Sequence, residues 1–186
     1  MKWENSSLLE SRKYVCGFCD NTVASNQGYY QSNSDEEKEI FICPYCENPS
    51  YFRYPDYQVP GIRYGRVVSD IPDQSVESLY NEARNCISSN SFTGSVLCSR
   101  KLLMNIAVSK GAKEGEKFVT YVQFLSDNGY IPPDGKQWVD HIRKKGNEAT
   151  HEITIMTRED AEELIDFIEM LLKFMFEFPA MIKRKT

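Results

Sequence analysis

Four of the six cysteines stand in two Cys-x-x-Cys pairs, Cys16/Cys19 and Cys43/Cys46, with 23 residues between the pairs. Each pair presents two thiolates on one side of a tight turn. Two such turns brought together give four-sulfur tetrahedral ligation, a donor set that suits Zn2+. Gly17 and Pro44 inside the turns fit this geometry, the first by its backbone freedom and the second by its fixed φ. With four protein ligands and no open position, the metal is expected to be structural rather than catalytic. The same spacing admits a redox dithiol or two disulfides, and an all-sulfur site also accepts iron. A redox Cys-x-x-Cys should open a helix inside a βαβ pattern, and no such pattern surrounds these residues. Cys86 and Cys98 stand alone at helical positions and read as small apolar side chains.

Three further groups of residues carry potential chemistry. Arg53, Arg63 and Arg66 are interleaved with Tyr51, Phe52, Tyr54, Tyr57 and Tyr64, a mixture that can clamp phosphates and stack bases. The same tyrosines could equally pack over a small sheet. Arg100 lies on the apolar stripe of a helix, between Val96 and Leu103. Buried there it needs a polar network of carboxylate or carbonyls; with a slight helix rotation it would snorkel outward. The segment from His141 to His151 holds both histidines of the chain. On a continuous helix Arg143, Asn147 and His151 share one face, where they could hold phosphate with His151 as general acid or base. In the plainer reading Gly146 ends the helix, Arg143, Lys144 and Lys145 complement its dipole, and Asn147 and His151 bond the following turn.

These groups need elements to hold them, and the pattern changes character near residue 70. Residues 1–70 contain the paired cysteines, many aromatics and scattered Gly and Pro; Tyr14, Val15 and Ile40–Ile42 can form the short strands of a zinc ribbon. The polar run 31–38 reads as an exposed loop, and residues 59–73, with Pro60 and Pro72, as a connector. Residues 71–186 show helical periodicity. Helices are expected near 74–89, 93–110 and 114–127, then one after Pro132-Pro133 that includes Trp138, Val139 and Ile142. The last opens at the capping box Thr157-Arg158-Glu159-Asp160 and carries the stripe Ala161, Leu164, Ile165, Ile168, Leu171, Leu172 and Met175. The expected fold is thus mainly α: a small N-terminal zinc ribbon (1–70), then an antiparallel bundle of about five helices (71–186). Hydrophobic residues are 41% and charged residues 26%, which suits a globular chain. Residues 1–71 carry 7 basic and 10 acidic side chains, so neither the ribbon nor the net charge of −5 makes a basic arm. The start, Met1 to Asn5, lacks the apolar core of a signal peptide, and no apolar run spans a bilayer. Cytoplasmic location without membrane contact is expected.

The stretch from Ile142 to His151, followed by Thr157-Arg158-Glu159-Asp160-Ala161 and a long apolar helix, resembles the domain-of-unknown-function family DUF4145 over about residues 70–178. Its Arg-x-x-Gly-Asn-x-x-x-His signature is met by Arg143, Gly146, Asn147 and His151, and its earlier Arg by Arg100; the acidic residue often found near Met104 is absent. The resemblance implies a HEPN-like helical fold and a role in bacterial or phage defence or restriction. It also implies a homodimer, with RNA or DNA or another protein as partner. Arg53, Arg63, Arg66, Lys144 and Lys145 are the candidate nucleic-acid contacts. HEPN ribonucleases carry Arg-Asn-x-x-x-His and need no metal; here Gly146 stands in place of that Arg. The functional expectation is a zinc-binding, non-catalytic, nucleic-acid- or protein-associated module. The alternatives are a metal-independent ribonuclease using His151 with Arg143 and Asn147, or a purely structural dimeric adaptor.

Overall fold

The computed structural model describes residues 3–31, 38–53, 56–132, 138 and 155–185. The chain divides into two compact units, Met1–Arg63 and Tyr64–Thr186.

The first unit is a five-stranded antiparallel meander, in the order β1 (Ser7–Val15), β2 (Thr22–Tyr30), β3 (Lys38–Ile42), β4 (Pro49–Arg53) and β5 (Tyr57–Val59). In a meander the β1–β2 and β3–β4 connections fall at the same end of the sheet. Both Cys-x-x-Cys pairs occupy those connections, so chain direction alone brings them together. The core is small: Tyr14, Phe41 and Phe52 pack with Cys16 and Cys43. Tyr14 and Phe52 meet edge to face at 5.0 Å, and Phe41 and Phe52 at 5.7 Å.

The second unit is helical. Its elements are α1 (Gln74–Ser88), α2 (Phe92–Ser109), α3 (Phe118–Asp127) and α4 (Arg158–Leu172). A π-helical turn (Lys173–Glu177) carries α4 on into α5 (Phe178–Lys183). Their starts and stops follow local chemistry. The Asp73 side chain caps α1 by accepting from Ser75 N–H, and Thr157 and Asp160 form both bonds of a capping box on α4. Asn128 and Gly129, the latter at φ 75°, end α3. The stripe of α4 is buried as its spacing requires, with Leu164, Ile165, Ile168, Leu171 and Leu172 all at 0–1% exposure. On α2, Leu97 is 43% exposed, while Leu102, Ile106 and the polar Ser95 and Ser99 are buried.

A mainly α chain with a minor β element is not what forms. Among the described residues helix accounts for 45% and strand for 20%, with five antiparallel strands in the N-terminal half and four helical rods rather than a five-helix bundle. The physical reason lies in β1 and β2. Both are nine residues long, yet most of their side chains are exposed or half-exposed on either face. A strand that buries little carries no alternating apolar signal. The expected helix around Trp138, Val139 and Ile142 falls outside the described residues except at Trp138, whose ring meets Phe167 edge-on at 5.1 Å.

Residues 64–66, at the start of the second unit, are tied to its helices. Tyr64 hydroxyl donates to Asp166, Arg66 N–H donates to Glu169, and Tyr80 hydroxyl donates to Arg66 C=O. Gly65 sits at φ 71°, and a Cβ there would come within 2.7 Å of Ile165. Arg84, 1% exposed, reaches from α1 to the carbonyls of Tyr64 and Gly65 at 2.9 and 2.8 Å.

Candidate metal centre

The two cysteine turns are near copies of each other. Cys16-Gly17-Phe18-Cys19-Asp20-Asn21 and Cys43-Pro44-Tyr45-Cys46-Glu47-Asn48 share the pattern Cys-x-aromatic-Cys-acid-Asn. In the first, Cys16 N–H donates to Asn21 C=O and Asp20 N–H donates to Cys16 C=O, both at 2.9 Å. In the second, Cys43 N–H donates to Asn48 C=O at 3.0 Å and Glu47 N–H to Cys43 C=O at 2.9 Å. The acidic residue of each turn takes a left-handed conformation, Asp20 at φ 60° and Glu47 at φ 58°. The closing asparagine of each donates its amide to the carbonyl of the second cysteine, at 3.2 Å in both cases. Two equivalent knuckles therefore aim their sulfurs at one point.

The sulfur geometry fits a single ion. All four Sγ atoms lie within 4.8 Å of one another, with Cys16–Cys46 at 3.7 Å and Cys19–Cys43 at 3.8 Å. A tetrahedron with metal–sulfur bonds of about 2.3 Å has edges of about 3.8 Å. Disulfide sulfurs would be about 2.0 Å apart, and all six cysteines are free thiols. The four cysteines can thus bind a metal ion such as zinc.

Burial and the neighbouring donors set the acidity of the thiols. Burial pushes the Cys16 thiol up to about 12 and also raises Cys43. Burial acts the same way on Cys46, but the Asn48 side-chain and backbone donors, with the facing Cys19 and Cys43 thiols, bring it down to about 7. Burial raises the nearby Tyr14 phenol, and the sulfurs of Cys43, Cys16 and Cys46 raise it further. A bound cation would displace the remaining protons and hold the sulfurs as thiolates.

The surroundings of the first knuckle explain two residues. A Cβ at Gly17 would lie 2.5 Å from Pro60 O and 2.6 Å from Gly61 O. Glycine is required there because another backbone approaches closely, not to wrap the metal. Arg63 donates from Nε to Asp20 at 2.9 Å and from Nη2 to Phe18 C=O at 2.7 Å. The Arg63 guanidinium is therefore drawn into the knuckle rather than offered outward.

The remaining candidates are dispersed. Arg53 is exposed, with its guanidinium 4.9 Å from the Tyr57 ring centre. Arg66 is exposed on the segment entering the helices. Arg100 is buried at 8% exposure over the Phe118 ring at 4.3 Å, and its Nη1 makes no hydrogen bond. Burial lowers its pKa. Arg143, Lys144, Lys145, Asn147 and His151 lie outside the described residues. Two features were readable in the sequence but not extracted from it. One is the repeated hexapeptide, whose signal extends to the asparagines. The other is Arg84, which falls on the Tyr80–Ala83–Ile87 stripe just as Arg100 does on its own helix.

Among the described residues no helix is long and apolar enough to cross a membrane. Neither the curated proteins nor the solved structures compared with the chain gave a match. A family model described as Domain of unknown function (DUF4145) matches residues 81–185, more than half of the chain, which therefore belongs to that family.

Proposed function

We propose that the chain is a non-catalytic, nucleic-acid-associated module whose N-terminal ribbon is folded by one structural Zn2+ held by Cys16, Cys19, Cys43 and Cys46. The observation that carries this is the closed sulfur tetrahedron, which leaves no coordination position for water or substrate. Zinc is favoured over iron by the ligand type and by the cytosolic setting expected from the sequence. Arg53 lying on Tyr57 supports the nucleic-acid part, since a stacked guanidinium beside an exposed ring serves both bases and phosphates. Phe174, Phe178, Met181 and Ile182 leave an exposed apolar row along the π-turn and α5, which supports the helical unit as the dimerising part.

The test is purification without added metal, followed by elemental analysis and an oligonucleotide-binding assay at low salt. One zinc per chain and salt-sensitive binding are expected. A metal-free, folded ribbon would overturn the structural role, and a chain that binds neither RNA nor DNA would overturn the partner assignment.

A further inference from the structure

The register of the ribbon sheet separates its side chains into two faces. Tyr14, Phe41 and Phe52 form the core on one. On the other, directly paired positions run across four strands: Tyr29 opposite Ile40, Ile40 opposite Tyr51, Lys38 opposite Arg53, and Arg53 opposite Tyr57. Directly paired residues project to the same side. This second face therefore collects three tyrosines with a lysine and an arginine at one end. The row is organised: Tyr51 and Tyr57 meet edge to face at 6.4 Å, and Trp3 meets Tyr29 the same way at 6.4 Å. Trp3 is fixed by donating from Nε1 to Glu47 C=O at 2.7 Å, and Tyr29 by donating to Glu4 C=O at 2.6 Å. Trp3 also walls a cavity of about 480 Å³ that includes Asn26, Gln27 and Glu47. Tyr57 is 50% exposed and Trp3 40%.

We infer that this face is a track for unpaired nucleic acid, with Trp3, Tyr29, Tyr51 and Tyr57 as stacking partners for bases and with Lys38 and Arg53 as phosphate contacts. The inference rests on the nucleic-acid reading above and names its site. Charge decides between unpaired and duplex ligands. Two cations on a ribbon that is acidic overall cannot supply the phosphate neutralisation that drives duplex binding. Stacking draws its affinity from base faces, which a duplex hides. The amide of Asn26, which lines the same cavity as Trp3, offers a donor and an acceptor for the edge of a base seated there.

The test uses the full-length, metal-loaded chain with fluorescein-labelled dT15, rU15 and a 15-base-pair duplex, followed by anisotropy. Single strands are expected to bind more tightly than the duplex. Tyr51→Ala and Tyr57→Ala should each weaken binding by about five-fold or more, with metal content unchanged. Two phosphate contacts give a log–log salt slope of about −1.4, and Arg53→Ala should make it shallower by about 0.7. Because Tyr51 is only half-exposed, a second readout covers a folding defect there: in Trp138→Phe, Trp3 is the only indole left, and its emission should change on adding dT15. Binding that ignores both tyrosines and leaves Trp3 emission unchanged overturns the track while leaving nucleic-acid association intact. Tighter duplex binding also overturns it. Absence of saturable binding by any of the three probes at low salt overturns both readings and leaves the face to a protein partner.

Discussion

The two units of this chain solve the folding problem in different ways. The helical unit buries a continuous core from α1 to α4, including Tyr80, Leu103, Val122, Leu164 and Phe167, each at 2% exposure or less. The ribbon buries three aromatic rings and two sulfurs. Apolar burial stabilises at about 25 cal/mol per Å², which is enough for the helical unit and too little for the ribbon. In the function proposed above, a bound cation supplies what the ribbon's side chains do not. Metal dependence and apolar-core dependence should therefore separate cleanly along the chain.

The strongest way to break this comparison is to remove the metal. Chelation, or Cys43→Ser, should abolish folded signals from residues 3–63 in a heteronuclear NMR spectrum and leave the helical resonances in place. Loss of both sets together would show that the units do not fold separately. The reverse perturbation comes next. Leu164→Ala should destabilise the helical unit by about 2–5 kcal/mol in urea titrations without lowering metal content. Gly17→Ala sharpens the ribbon side: the new methyl meets two backbone oxygens, so a loss of about 1–3 kcal/mol and weaker metal retention against a colorimetric chelator are expected. Thr157→Ala removes the α4 capping box and should cost about 1 kcal/mol in the helical transition only.

The smallest effect is a pH dependence confined to the helices. Burial raises the Asp166 carboxyl and the Tyr64 hydroxyl opposes this, but the carboxylates of Glu169, Glu162 and Glu163 raise it further. The native state then holds this proton more tightly than the unfolded chain. Stability contributed by this site falls as pH rises from the ordinary carboxylate value through the native one. Asp166→Asn should thus be slightly stabilising at pH 7 and neutral below the unfolded value, a difference that thermal melts across pH 3–7 would reveal. Because Asp166 is exposed, added salt should shrink it.

The contrast also explains what the sequence made legible. Two Cys-x-x-Cys pairs mark a four-cysteine cluster by spacing, and the fold brings all four Sγ atoms within 4.8 Å of one another. The amphipathic helices announce themselves by apolar stripes, as α4 does from Ala161 to Leu172. Strands β1 and β2 do not: Leu8 is 83% exposed and Tyr14 is buried within the same strand, so no simple alternation marks it. Gly17 was readable as conformationally special, but its reason is the Pro60–Gly61 backbone, which is distant in sequence. Arg63 looked like a free cation because its partners, Asp20 and Phe18, precede it by more than forty residues. Arg100 was readable as an anomaly on an apolar stripe, and its contact with Phe118 depends on how α2 and α3 pack.

The most direct measurement is X-ray absorption at the zinc edge of protein purified without added metal. The expected spectrum fits four sulfur neighbours at about 2.3 Å, with one zinc per chain. Nitrogen or oxygen in the first shell, or a ribbon that keeps its NMR signature with no metal bound, would contradict the claim that four thiolates close around one ion and fold this unit.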